Sequence, residues 1–227
     1  MPKLGAVHEN LDTKIYNELK GRIMRHAFRP GEKIYQDKLA RELGVSRTPL
    51  VNALKYLERE KLVVAIPRRG YIVRRFSTEE MVHIFELREV LEGLAARRAA
   101  LGVSDAHVER LQGFFEQFRD PADLEDVEAY AREDRRFHQF VVEVGSREFL
   151  KSILENYNVL AFSYQSEDSA GLVRPPRETI REHQAIIKAI CKRDPEKAEE
   201  FMRLHLRRSM TVLELTLPRE TGLEAAS

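Results

Sequence analysis

The chain has one cysteine, Cys191, among its 227 residues. A single thiol can build neither a disulfide framework nor a thiolate zinc cluster within the chain. No segment approaches about 18 uninterrupted apolar residues, so no helix is expected to span a membrane. The opening MPKLGAVHENLDTK lacks the apolar run of a signal peptide. These absences predict a soluble protein of a reducing compartment, the cytoplasm. Internal repeats and low-complexity tracts are also missing. Net charge is nearly absent too, at +1 over the whole chain.

That near-neutrality conceals a split. Residues 1–76 contain 17 Lys and Arg against 8 Asp and Glu, a net of +9. The remainder contains 21 against 29, a net of −8. A basic module joined to an acidic one is the footprint of a nucleic-acid reader attached to a part that does not touch nucleic acid. Counterion release makes the affinity of such a module electrostatic and salt-dependent.

The basic half carries the most informative stretch, residues 34–75: IYQDKLARELGVSRTPLVNALKYLEREKLVVAIPRRGYIVRR. Leu39, Leu43, Val45, Leu50, Leu54 and Leu57 follow the period of two short helices, and Gly44 breaks that period between them. Ser46 is placed to cap the second helix, with Pro49 tolerated in its first turn. Residues 62–66 and 71–74 read as two strands joined by the basic turn Pro67-Arg68-Arg69-Gly70. The pattern is a winged helix-turn-helix. A helix opening Ser46-Arg47-Thr48 offers hydroxyls, unpaired N–H groups and a guanidinium together, which groove entry and phosphate contact require. A hairpin and ribbon used only for packing is the alternative, and the charge argues against it.

Residues 1–9 read as a loose arm. A helix capped by Asn10 or Asp12 runs to about Ala27, with Ile15, Leu19 and Ile23 on one face, and Phe28-Arg29-Pro30-Gly31 ends it. The DNA-binding domain is thus expected over 10–76. Ser77-Thr78-Glu79-Glu80 is a capping box that opens a long helix to about Leu101 and marks the boundary. Further helices are expected at 105–119, 123–144, 147–166, 177–193 and 195–216, separated by Gly102, Asp120-Pro121, Gly145, the loop 169–176 and Asp194-Pro195. No run there has a strand period. The expected fold is mainly α: the winged module, then an antiparallel bundle of about six helices over 77–217, then a tail over 218–227.

Within the bundle, Asp134 and His138 lie four apart and share a helix face with Val127, Tyr130, Phe137 and Val141. His183 sits among Ile180, Ile186, Ile187 and Ile190, and His205 among Phe201, Met202 and Leu206. Three imidazoles and a carboxylate converging in an apolar bundle suit Zn²⁺, Ni²⁺ or another borderline divalent ion, with one or two positions left for water or a ligand. Each histidine taken singly reads equally as a satisfied core residue. Arg88 is the second anomaly, because it falls on the inward stripe Met81, Ile84, Phe85, Leu91, Leu94 and Ala95. A buried guanidinium must find a carboxylate. It pairs either with Glu92 one turn on or with an anionic small molecule, which suits its bidentate geometry.

The core LARELGVSRTPLVNALKYLEREKLV with its PRRGYIV wing resembles the GntR superfamily of bacterial transcription regulators. The second half resembles the FadR-type, all-helical FCD effector domain through ELREVLEGLAARRAA, the Asp-x-x-x-His pair, HQAIIKAI and the late His205. The resemblance covers about residues 15–215. It implies a divalent metal on Asp134, His138, His183 and His205, a small carboxylate effector beside it, and Arg88 as the arginine of the first effector-domain helix. For DNA it implies contacts from Ser46, Arg47, Thr48 and the wing around Gly70. One departure stands out. The family usually has Arg-Glu after S-R-T-P-x, whereas this chain has Val51-Asn52, so Arg68 and Arg69 are left to compensate through the wing.

The expectation is a homodimeric, metal-containing repressor, not an enzyme, that binds a pseudo-palindromic double-stranded operator and is released by a small carboxylate. Two other classes compete. A metal-dependent hydrolase would use Glu133 or Glu182 to activate water, but the chain has no His-Asp dipeptide, no repeated Glu-x-x-His ligands and no nucleophile elbow. A metal sensor would respond to the ion alone.

Overall fold

The computed structural model describes residues 11–24, 27–119, 123–146, 150, 153 and 171–217. The arm, the tail and the body of the helix expected at 147–166 lie outside the described residues. Backbone contacts divide the chain into two units whose boundary in sequence falls between Arg75 and Phe76.

In the first unit, α1 (Leu11–Met24) buries Ile15, Leu19 and Ile23 on one face. Helix α2 (Gln36–Leu43) ends at Gly44, whose φ of 65° is the left-handed value that glycine adopts without a Cβ penalty. Its N–H bonds Arg41 O at 3.2 Å and that of Val45 bonds Ala40 O at 3.0 Å, closing the helix end. Helix α3 (Arg47–Arg59) buries Leu50, Ala53, Leu54 and Leu57. Ser46 holds its N-cap position with extended backbone, but the hydroxyl makes no capping hydrogen bond, contrary to the sequence expectation.

Two strands were expected, and among the described residues three are present. Strand β1 (Lys33–Ile34) pairs antiparallel with β3 (Gly70–Val73), which also pairs with β2 (Val63–Ile66), in the order β1-β3-β2. The register sets Ile34 opposite Tyr71 and Ile66 opposite Gly70. At the turn of the wing, Arg69 N bonds Ile66 O at 2.9 Å, with Arg68 at φ 63° and Gly70 at φ 91°.

The second unit is helical throughout its described residues. It comprises α4 (Thr78–Gly102), α5 (Asp105–Gly113), α6 (Val127–Gly145), α7 (Pro176–Cys191) and α8 (Pro195–Thr216). The Ser77 box is formed: Glu80 N–H donates to Ser77 Oγ at 3.1 Å and Ser77 N–H to Glu80 Oε2 at 2.9 Å. The helix expected over 105–119 is interrupted. It ends at Gly113, Phe115 turns to φ 62°, and Glu116–Phe118 form a short 3₁₀ turn. The next helix starts at Val127, later than expected, because Asp126 accepts from Ala129 N–H at 2.9 Å and caps it there.

Helices α4 and α8 pack closely, with Arg97 paired to Glu196 and Glu199, and Glu89 paired to Arg203 and Arg207. An aromatic cluster of Phe114, Phe115, Phe137 and Tyr130 fills the interior next to the histidines. Among the described residues, no helix is long and apolar enough to cross a membrane.

Candidate functional site

In the first unit, Ser46, Arg47 and Thr48 are all exposed at the N-terminus of α3, and Arg68 and Arg69 are exposed on the wing. The first turn of α2 lies beside both sets. Asp37 Oδ1 is 3.8 Å from Arg47 Nη1, and Gln36 Nε2 is 3.0 Å from the point where a Cβ on Gly70 would sit. With its φ of 91°, Gly70 is a position a side chain could occupy only with strain. Val51, at the usual arginine position, is half-buried, and Asn52 donates to Asp12 Oδ2 at 3.0 Å, tying α3 to α1.

In the second unit, α6 carries Asp134 and His138, α7 carries His183 and α8 carries His205, and all four are buried. Each imidazole offers one nitrogen within 4.8 Å of the other two. Asp134 Oδ1 lies 3.1 Å from His183 Nε2.

The outer nitrogens explain this arrangement. Glu92 Oε2 takes His138 Nδ1 at 2.5 Å, Tyr130 Oη takes His183 Nδ1 at 2.9 Å, and Glu182 Oε2 takes His205 Nδ1 at 2.8 Å. A carboxylate only accepts, so His138 and His205 carry their protons on Nδ1. His183 differs: Tyr130 Oη, 2.8 Å from Thr179 Oγ1, can donate or accept at Nδ1, while the Asp134 carboxylate faces Nε2. The Nε2 lone pairs of His138 and His205 remain available for other partners. His138 Nε2 is buried without a hydrogen-bond partner.

Burial, reinforced by the neighbouring imidazoles, pushes His205 down to about 3, and burial is also the main cause that lowers His183. Imidazoles held from outside by oxygens, with a carboxylate beside them, form the donor set that binds a borderline divalent ion. The residues fit the metal.

Arg88 Nε donates to Glu92 Oε1 at 2.5 Å, and its guanidinium lies over the Phe85 ring at 4.9 Å. The salt bridge held open by the sequence is present. Glu92 is fully buried, and burial alone would raise its carboxyl. Arg88 and His138 more than reverse this and hold it at about 2. Arg88 also lines a cavity of about 30 Å³ with Asp134, His138, Thr179, His205 and Ser209. That space suits an ion and one or two water-sized groups.

Against known families, residues 11–73 match the gntR family of bacterial regulatory proteins and residues 83–208 match the FCD domain. The chain belongs to the GntR family. This GntR-family chain is 31% identical over 198 residues to the HTH-type transcriptional regulator YdhC of Bacillus subtilis (strain 168), covering 85% of this chain and 86% of that one. It is 26% identical over 198 residues to the HTH-type transcriptional repressor RspR of Escherichia coli (strain K12), covering 86% of each. A GntR regulator of Rhodococcus sp. RHA1 has the same fold at a TM-score of 0.76, 19% identity and coverage of 91% and 99%. E. coli McbR/YncC shares it at 0.74, 22% identity and coverage of 92% and 99%.

Sequence reasoning about this GntR-family chain missed the outer oxygens. Glu92 was visible only as a partner one turn from Arg88. Tyr130 was visible on the inward face of α6, without its bond to His183. Arg174 carried no signal, yet its guanidinium is buried and holds Glu182 through Nη1 at 3.1 Å and Nη2 at 2.5 Å.

Proposed function

We propose that the chain is a homodimeric transcription repressor whose FCD domain holds a divalent metal on Asp134, His138, His183 and His205, and that a small carboxylate at the metal and Arg88 releases it from a pseudo-palindromic operator. The observation that carries the reading is the convergence of three imidazoles, each held from outside by an oxygen, on one buried carboxylate. A bound ion would supply a positive charge and an open coordination position for the carboxylate. Arg88 would supply the second contact. Occupancy then shifts the population of helix packings toward a form that does not bind operator. RspR, the D-xylose utilisation operon regulator of Paenarthrobacter nicotinovorans and the gluconate operon regulator of Bacillus licheniformis are all named as transcriptional repressors.

DNA contact is assigned to Ser46, Arg47, Thr48, Arg68, Arg69 and Gly70, within a DNA-binding domain over 10–76. Dimerisation is assigned to the effector domain over 77–217. Along α4, Leu87, Val90 and Leu101 are exposed, and Leu91 and Leu94, expected on the inward stripe, are half-buried on the same side. Such an apolar stripe at helical spacing supports pairing of two chains.

A hydrolase reading finds no support in its two acidic candidates. Glu133 accepts from Phe115 N–H at 3.3 Å and from Arg136 at 2.8 Å, and Glu182 is engaged by Arg174, Arg208 and His205. We therefore read the chain as a non-enzyme. A metal sensor without organic effector is the second reading, favoured by the ion-sized cavity of about 30 Å³.

A thermal-shift screen of small carboxylates, with and without chelator, tests both. Ligand binding must raise stability by mass action. A carboxylate whose stabilisation vanishes with chelator supports the first reading. Operator release by Zn²⁺ or Ni²⁺ alone, with no carboxylate effective, supports the second.

A further inference from the structure

Glu92 on α4 joins the two halves of this site. It is fully buried, its Oε1 accepts from Arg88 Nε and its Oε2 from His138 Nδ1, each at 2.5 Å. Both bonds draw on one delocalised negative charge. The guanidinium therefore competes with the imidazole for that charge. Whatever draws Arg88 off Glu92 concentrates charge on the carboxylate, strengthens the His138 hydrogen bond and makes His138 Nε2 a stronger donor. Arg88 lines the same cavity as Asp134, His138 and His205, so an anion entering there meets Arg88.

We propose that Glu92 is a positioning residue coupling metal to anion: it orients and charges His138 for the ion, and Arg88 restrains it. An anion that engages Arg88 lifts the restraint and tightens metal binding. By reciprocity the metal tightens anion binding by the same factor. The proposal rests on the metal reading above and adds the residue through which the two ligands sense each other.

The test uses the full chain, stripped of metal, with Zn²⁺ as the only ligand, titrated against a competing chromogenic chelator. Glu92→Gln should weaken Zn²⁺ by about 10–100-fold, the usual cost of losing an outer partner of a histidine ligand. Arg88→Met should tighten Zn²⁺ severalfold. Opposite signs from the two members of one ion pair are the signature, since a pair that only holds the fold together loses affinity from either side. The double variant Arg88→Met/Glu92→Gln removes both charges and should bind Zn²⁺ like Glu92→Gln, because the coupling runs through Glu92. If Arg88→Met does not fold, Arg88→Gln, which removes the charge and keeps a polar side chain, should show the same gain. Long-range ¹H–¹⁵N spectra of metal-free wild type should find the His138 proton on Nδ1. Equal Zn²⁺ affinity in wild type and the double variant, or weaker binding in the folded Arg88 variant, overturns the coupling and leaves the metal site standing. Failure of wild type itself to bind Zn²⁺ or Ni²⁺ overturns the metal reading instead.

Discussion

Gly145 of α6 meets Ala95 of α4 backbone to backbone: a Cβ on Gly145 would lie 1.9 Å from the Ala95 carbonyl oxygen. No rotamer relieves that contact, because both partners are main chain. Gly145→Ala must separate the helices that carry His138 and Glu92, and overpacking of this kind costs about 1–3 kcal/mol or more. Gly102, at the end of α4, has nothing within 4 Å of its Cβ position. Gly102→Ala should be neutral or stabilising by up to about 1 kcal/mol through helix propensity. Urea melts of the two variants against wild type check the contrast, and equal midpoints for all three would refute it.

Arg47 should be the principal reader at the start of α3. Arg47→Ala is expected to cost roughly 1–3 kcal/mol in operator affinity, or to lower the salt slope by about 1 if the contact is to phosphate. Its neighbour Asp37, 3.8 Å away, places a negative charge where DNA phosphates would approach. Asp37→Asn should therefore strengthen binding severalfold and steepen the salt dependence. Gel shifts at two salt concentrations decide, and unchanged affinity in Arg47→Ala would remove this residue from the interface.

The metal-free protein should lose stability on mild acidification. Burial holds His205 near 3 and lowers His183, whereas both titrate near 6.5 when unfolded. The unfolded chain thus binds protons that the folded chain refuses. Stability from these groups is complete above about pH 6.5 and is lost as pH falls toward the folded value. Between pH 6.5 and 5 a fully shifted group contributes on the order of 2 kcal/mol. Melting in chelator across this range should show a falling midpoint. A flat profile would mean the imidazoles are protonated in the fold.

The apolar stripe on α4 should hold two chains together. Val90, 55% exposed, and Leu87, 54% exposed, are the residues to change. Val90→Glu with Leu87→Glu should give a monomer at micromolar concentration by sedimentation, while the Zn²⁺ site is kept. A wild-type monomer, or an unaffected dimer in the double variant, would move the interface elsewhere.

Local signals carried well. The break at Gly44, the Ser77–Glu80 box and the inward placement of Arg88 and the three histidines could all be read from spacing of seven residues or fewer. What failed was either too short or too distant. Strand β1 has two residues, which cannot show alternation. The helix expected through residue 119 stops because Phe115 leaves helical geometry to stack its ring on His183 at 4.7 Å, a partner 68 positions on. The bond from Glu92 to His138 spans 46 positions. No periodicity reports such pairs, and only the packed bundle brings them together.

Each imidazole of the site is gripped by an oxygen from the preceding helix of its packing chain: His138 of α6 by Glu92 of α4, His183 of α7 by Tyr130 of α6, and His205 of α8 by Glu182 of α7. The links run through four helices as a series of stitches. An ion drawing the three inner nitrogens together would close the α6–α7–α8 part of that series into a loop, with α4 tied to it through Glu92, so that none of those three helices could fray without opening the other two. In hydrogen-exchange terms, helices that open separately without metal should merge on loading into one cooperative unit, with their slowest amides released only by global unfolding.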